Sequence, residues 1–165
     1  MRIIDTASKY IGHKEQAGNV FDSNTALGKL VKDSGQSNGE AWCAYFAEGV
    51  CVEAYPEKRD ILRKLFSASA VKTLENFRFS GYVVGQWPIL GSIVVWRRHK
   101  EGQPTWQGHI GIVSKVIDNN NFEAIEGNTN SAGSREGDSV QVKRRDLLPR
   151  DNGLNVIGFI RLDFE

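Results

Sequence analysis

The apolar positions of this chain follow two different periods, one in each half. Ile3, Ile4, Ala7, Tyr10 and Ile11 recur at helical spacing, and Gly12 predicts a stop. The same spacing predicts a helix over 25–33, with Leu27, Leu30 and Val31 inward and Gly35 ending it. Another is expected over 42–53, with Phe46, Ala47, Val50 and Ala54 as its stripe. Two more helical stretches follow near 58–65 and 68–77. Then the period shortens. Ile93-Val94-Val95-Trp96 and Ile110-Gly111-Ile112-Val113 are short β-branched runs between turn residues, and 122–125, 140–143 and 156–162 bring the strands to about five. Asp118-Asn119-Asn120-Asn121 predicts a hairpin turn, because Asn tolerates positive φ. Helices first and meandering strands afterwards argue for an α+β domain built on an antiparallel sheet. No repeat or long linker interrupts it, so 1–165 reads as a single domain, with 130–139 as the segment expected to be most flexible.

The chain has 165 residues, enough to enclose a real core. Its formal net charge of +1 gives no bulk attraction to nucleic acid or acidic membranes. The start, Met1-Arg2-Ile3-Ile4-Asp5-Thr6, has no apolar run behind its basic residue, so synthesis in the cytoplasm without a signal peptide is expected. No stretch reaches the roughly 20 apolar residues that span a bilayer. Cys43 and Cys51, if on one helix, lie about 12 Å apart, too far for a disulfide. Two cysteines and three histidines form no zinc spacing, and no metal is expected.

A free thiol is left to explain. Cys43 follows a capping-box pattern, Ser37-x-x-Glu40, which predicts a helix start within a few residues of it. A thiol in a first turn feels the positive end of the helix dipole and free N–H groups, which favour the nucleophilic thiolate. Cys51, between Val50 and Val52, fits the inert buried alternative. A second group supports Cys43: His109, flanked by Gly108 and heading an apolar strand. Alternation sends Ile110 and Ile112 to one face and His109, Gly111 and Val113 to the other, Gly111 leaving room beside the ring. His13 follows a helix stop and His99 lies in a polar loop, so both are weaker candidates. With the hairpin turn centred on Asn119-Asn120, Gly111 opposes Asn128, Val113 opposes Glu126 and His109 opposes Asn130. Opposed residues share a face, so Glu126 or Asn128 is in reach to orient the imidazole.

Trp42-Cys43-Ala44, Gly91-Ser92-Ile93-Val94-Val95-Trp96, Gly108-His109-Ile110-Gly111-Ile112-Val113 and Ile125-Glu126-Gly127-Asn128 together resemble the CHAP family. These are cysteine, histidine-dependent amidohydrolases and peptidases, relatives of NlpC-type wall hydrolases and of papain, with the order Cys, His, Glu, Asn. The resemblance implies a papain-like fold whose nucleophile sits at a helix N-terminus packed on the sheet. It implies Cys43 as nucleophile, His109 as base, Glu126 as orienter and Asn128 in a secondary role. Ser92 departs from the family's usual Asp. Trp42 stands where many members have Gln, leaving the oxyanion partner of the Cys43 N–H open between Gln36 and Asn38.

Family members typically cut amide bonds of bacterial peptidoglycan, as N-acetylmuramoyl-L-alanine amidases or stem-peptide endopeptidases. They occur as phage lysins or secreted antibacterial effectors. The implied partners are peptidoglycan and, for an effector, an immunity protein or secretion machinery. Action at the cell wall after non-classical release follows, by a monomer without cofactor. Some members bind calcium, but no acidic loop near Cys43 supports that here. Trp42, Trp96 and Trp106 are expected to line the cleft, since sugars and peptide stems stack on aromatic faces, and 130–139 to border it. A protease or deamidase acting on protein, and an inactive wall-binding module, are the competing readings.

Overall fold

The computed structural model describes residues 1–129 and 137–164. Five α-helices precede the sheet: α1 (Arg2–Ser8), α2 (Ala26–Asp33), α3 (Cys43–Ala54), α4 (Arg59–Leu65) and α5 (Ala70–Phe79), with a 3-10 turn at Pro56–Lys58. The strands are β1 (Val84–Gly85), β2 (Ile93–Lys100), β3 (Gln103–Val116), β4 (Asn121–Thr129), β5 (Ser139–Asp146) and β6 (Gly153–Ile160). They form one antiparallel sheet in the order β1-β6-β2-β3-β4-β5. The N-terminal helices pack on this sheet, an α+β arrangement consistent with a papain-like fold. The sixth strand is the two-residue β1, too short to leave a pattern in the sequence.

Local chemistry sets the helix ends. Thr25 caps α2 by accepting from the Gly28 N–H at 3.0 Å, and Gly35 at φ +99° turns the chain beyond it. Helix α3 is buried on almost every side, from Cys43 to Ala54. A helix apolar all round belongs inside a domain, and α3 runs between the sheet and α1, α2 and α4. Gly49 permits the close crossing with α2, since a Cβ there would lie 2.6 Å from Leu30 Cγ.

The sheet is buried on both faces, which explains why Ile93-Val94-Val95-Trp96 shows no polar alternation. Ile93, Val95, Ile110, Ile112, Ile125 and Ile160 join the main core with the helices. Val94, Trp96, Val113, Phe122, Ala124 and Phe159 form a second cluster on the opposite face, partly covered by Leu147, Leu154 and Val156.

Where α3 rests on β4, the contact is made through a glycine. A Cβ on Gly127 would sit 2.7 Å from Trp42 Cζ3 and 2.8 Å from Phe46 Cβ. Gly127→Ala is therefore expected to lower stability by about 1–3 kcal/mol through overpacking, read from the urea midpoint at unchanged slope.

Candidate active site

Helix α3 begins at Cys43 itself, with Trp42 as N-cap and no side chain capping the first turn. The Ser37–Glu40 pattern does not cap this helix. The Glu40 carboxylate accepts from the Ser37 N–H at 2.8 Å and the Glu40 N–H donates to the Ser37 carbonyl at 3.1 Å, closing a separate turn upstream. The first-turn N–H groups next to the sulfur consequently have no side-chain acceptor among the described residues. Cys43 retains 8% of its surface, whereas Cys51 on the same helix has none.

His109 lies on β3 directly opposite Trp96 of β2, their ring centroids 5.5 Å apart. Its Nε2 makes a 2.7 Å hydrogen bond with Glu126 Oε2, and the Cys43 side chain lies near enough to the ring to act on its protonation. A carboxylate only accepts, so Nε2 carries the proton and Nδ1 is the nitrogen left for the sulfur. Both residues are buried, His109 to 4% exposure and Glu126 to 0%.

The β3–β4 register differs from expectation, yet it preserves the shared face. Val113 opposes Ala124, not Glu126, so Asn128 is not the neighbour of Gly111. The pairing beside the turn is shifted by one residue, since Val116 pairs with Phe122 and not Glu123, and an irregularity between Val113 and Lys115 adds one further step. Two single-residue shifts restore the parity that one would have reversed. Glu126 consequently fills the space beside Gly111, where a Cβ would lie 2.8 Å from Glu126 Cγ and 3.5 Å from Trp96 Cζ3. The expected partner of His109, Asn130, lies outside the described residues.

A further residue completes the group. Arg145 on β5 grips Glu126 with both arms of its fork, Nε to Oε1 at 2.7 Å and Nη2 to Oε2 at 2.6 Å. Its guanidinium carbon sits 5.3 Å from the centroid of Trp96, so that ring touches both His109 and Arg145. Burial pushes the Glu126 carboxyl upward, but the Arg145 and His109 hydrogen bonds outweigh it and hold its pKa below the ordinary value. Burial likewise pulls the His109 ring down, and the neighbouring Cys43 side chain and Glu126 carboxylate raise it to about 9. A sulfur at a helix start, a basic imidazole and a locked carboxylate make a set able to perform nucleophilic acyl transfer.

The CHAP domain description matches residues 35–128, more than half of the chain. The chain belongs to the CHAP family. No curated protein matches it. CHAP membership supports amidohydrolase or peptidase activity, and the matched stretch contains Cys43, His109, Glu126 and Asn128. Arg145 lies beyond it.

Other expected residues of this CHAP domain fall elsewhere. Trp42 is wholly buried, its indole N–H donating to the Glu15 carboxylate and its ring edge-on to Phe21, so it is core and not a cleft wall. Trp96, at 2% exposure, supports His109 from within the outer cluster. Trp106 is 75% exposed. Asn128 is buried at φ +56°, and its Oδ1 has no hydrogen-bond partner among the described residues. Gln36 spends its amide N–H groups on the Asn19 and Glu40 carbonyls, both at 3.0 Å, so they are not free as oxyanion donors, and the Asn38 Oδ1 accepts from Lys32 at 2.8 Å. Ser92, in place of the family Asp, ties its hydroxyl to the Ile89 carbonyl at 2.6 Å and shapes the entry to β2. Of the expected 130–139 border, residues 130–136 lie outside the described residues. Among the described residues no group of three or more His, Cys, Asp and Glu could hold a metal ion.

The arrangement predicts that the His109 ring titrates near 9, well above the ordinary 6.5, by NMR of its ring carbons. Glu126→Gln should move that midpoint down, because burial then acts with less opposition. The raised value also fixes the sign of the linkage. The stability that protonated His109 contributes is present below pH 6.5 and is lost as pH rises through about 9, as urea unfolding against pH will report.

Proposed function

We propose that this CHAP domain hydrolyses an amide bond of bacterial peptidoglycan by Cys–His nucleophilic catalysis. One observation carries the proposal: the Cys43 side chain meets a buried imidazole whose other nitrogen is bound to a locked carboxylate. The Glu126 carboxylate raises the basicity of the ring, which favours transfer of a proton to it.

His109 Nδ1 takes the proton of Cys43, and the sulfur attacks the amide carbonyl. The oxyanion is stabilised by first-turn N–H groups of α3, beginning with that of Cys43. Protonated His109 gives its proton to the departing amine, leaving a thioester. Water, deprotonated by the same ring, attacks the thioester, and the acid leaves as the sulfur regains its proton. Glu126 keeps the ring in one tautomer and orientation, and Arg145 keeps Glu126 ionised and still. Asn128 lies two positions after Glu126 on β4, with its Oδ1 buried and without a hydrogen-bond partner among the described residues.

Cys43→Ala and His109→Ala should each lower digestion of purified sacculi by about a thousandfold or more while the fold, followed by circular dichroism, is unchanged. Mass spectrometry of the wild-type digest should find new amine and carboxyl ends at one peptidoglycan amide. Cleavage of protein substrates with intact sacculi would contradict the choice of substrate, and full activity in either variant would contradict the mechanism.

A further inference from the structure

The face of the sheet opposite the helices carries a second concave feature. A cavity of about 300 Å³ opens there, its walls including Trp96, Arg98, Arg145, Asp146, Arg150 and Leu154. Cys43, His109 and Glu126 do not line it. The chain as a whole is close to neutral, so a local excess of guanidinium groups in a hollow is not the character of the general surface.

Four arginines line this cavity from three elements: Arg98 from β2, Arg144 and Arg145 from β5, and Arg150 from the segment before β6. Arg150 is matched by Asp146, with contacts of 3.1 and 2.8 Å to its two carboxylate oxygens. Arg145 is matched by Glu126 through Nε and Nη2, and its Nη1 makes no hydrogen bond among the described residues. Arg98 makes no side-chain hydrogen bond or ion pair among the described residues. Arg144 is paired across the strands with Glu123, and its charge acts on Asp118. Arg145 and Arg150 are thus each held by a carboxylate, and the Arg98 charge stands unmatched among the described residues, beside the apolar surfaces of Trp96 and Leu154.

We propose that this cavity binds a phosphate-class oxyanion. A planar carboxylate is saturated by a single guanidinium fork, whereas a tetrahedral oxyanion accepts from several directions at once. Donors arriving from three elements suit the second geometry. The indole of Trp96 forms a low-dielectric floor that strengthens each charged contact. Arg145 belongs both to this cavity and to the clamp on Glu126, so an anion bound here touches the residue that holds the carboxylate without reaching the sulfur. The inference does not depend on what Cys43 does.

The test uses the whole chain, titrated with inorganic phosphate, dimethyl phosphate and acetate at constant ionic strength set with sodium chloride. NMR signals of the Trp96 indole N–H and the Arg98 and Arg145 Nε–H report occupancy. Saturable shifts with inorganic phosphate, and weaker binding of acetate, are expected. Arg98→Gln should weaken phosphate binding by about tenfold, the loss of one charged hydrogen bond, while Arg98→Lys keeps most of it. The dimethyl phosphate arm separates the two sources of such a group: equal affinity assigns the site to the phosphodiesters of a polymer, and weaker affinity to a free phosphate or monoester. Circular dichroism of both variants checks the fold. Absence of saturable binding, acetate binding as tightly as phosphate, or an unchanged phosphate affinity in folded Arg98→Gln overturns the proposal.

Discussion

The rest of the structure depends on keeping a carboxylate ionised where no water reaches it. Glu126 has no exposed surface, and a buried carboxylate without partners would take up a proton. Arg145 answers that with a bidentate contact, and His109 occupies the same Oε2 from the other side. The chain Arg145–Glu126–His109 crosses β5, β4 and β3, so it exists only when three strands are in one register. Such a group adds little net stability over an apolar core of the same shape, while the loss of one member leaves a buried charge unpaired. Its value lies in fixing one ring at one angle.

The sulfur is brought to that ring by packing, not by a bond. Helix α3 is enclosed between the sheet and its neighbouring helices, and its first turn is seated on Gly127 beside Trp42 and Phe46. That seat ties the start of the helix to the strand carrying Glu126. The two cysteines of α3 show what position decides. Cys51 lies deep in the core, where burial and then the charge of Glu48 push its thiol far above the ordinary range. Cys43 sits at the helix tip, with part of its surface still open and an imidazole against it.

Much of this was legible in the chain. The two periods gave five helices and the principal strands, and Gly-rich surroundings marked His109 as a residue with room beside it. The face shared by His109 and Glu126 survived a wrong register only because the turn and the strand irregularity each shifted it by one. Hairpin pairing from a four-residue polar turn does not carry that detail. Arg145 was invisible, since Lys143-Arg144-Arg145-Asp146 reads as a solvated run and no short turn fixes β5 against β4. Its strand parity with Glu126 becomes readable only once Glu126 is known to face Gln141. Trp42 and Trp96 were misplaced because a tryptophan next to chemistry can support the site from inside as readily as line it. Here Glu15 and His109 take their polar and ring contacts.

The central claim, that a helix-tip sulfur is made reactive by a ring held on the sheet, is tested most directly by alkylation of the native protein. Iodoacetamide at neutral pH, followed by peptide mapping, should modify Cys43 and spare Cys51, with the Cys43 rate sharply slower once His109 is replaced by alanine. A Cys43 as inert as Cys51, or one whose rate ignores the loss of His109, would contradict the account.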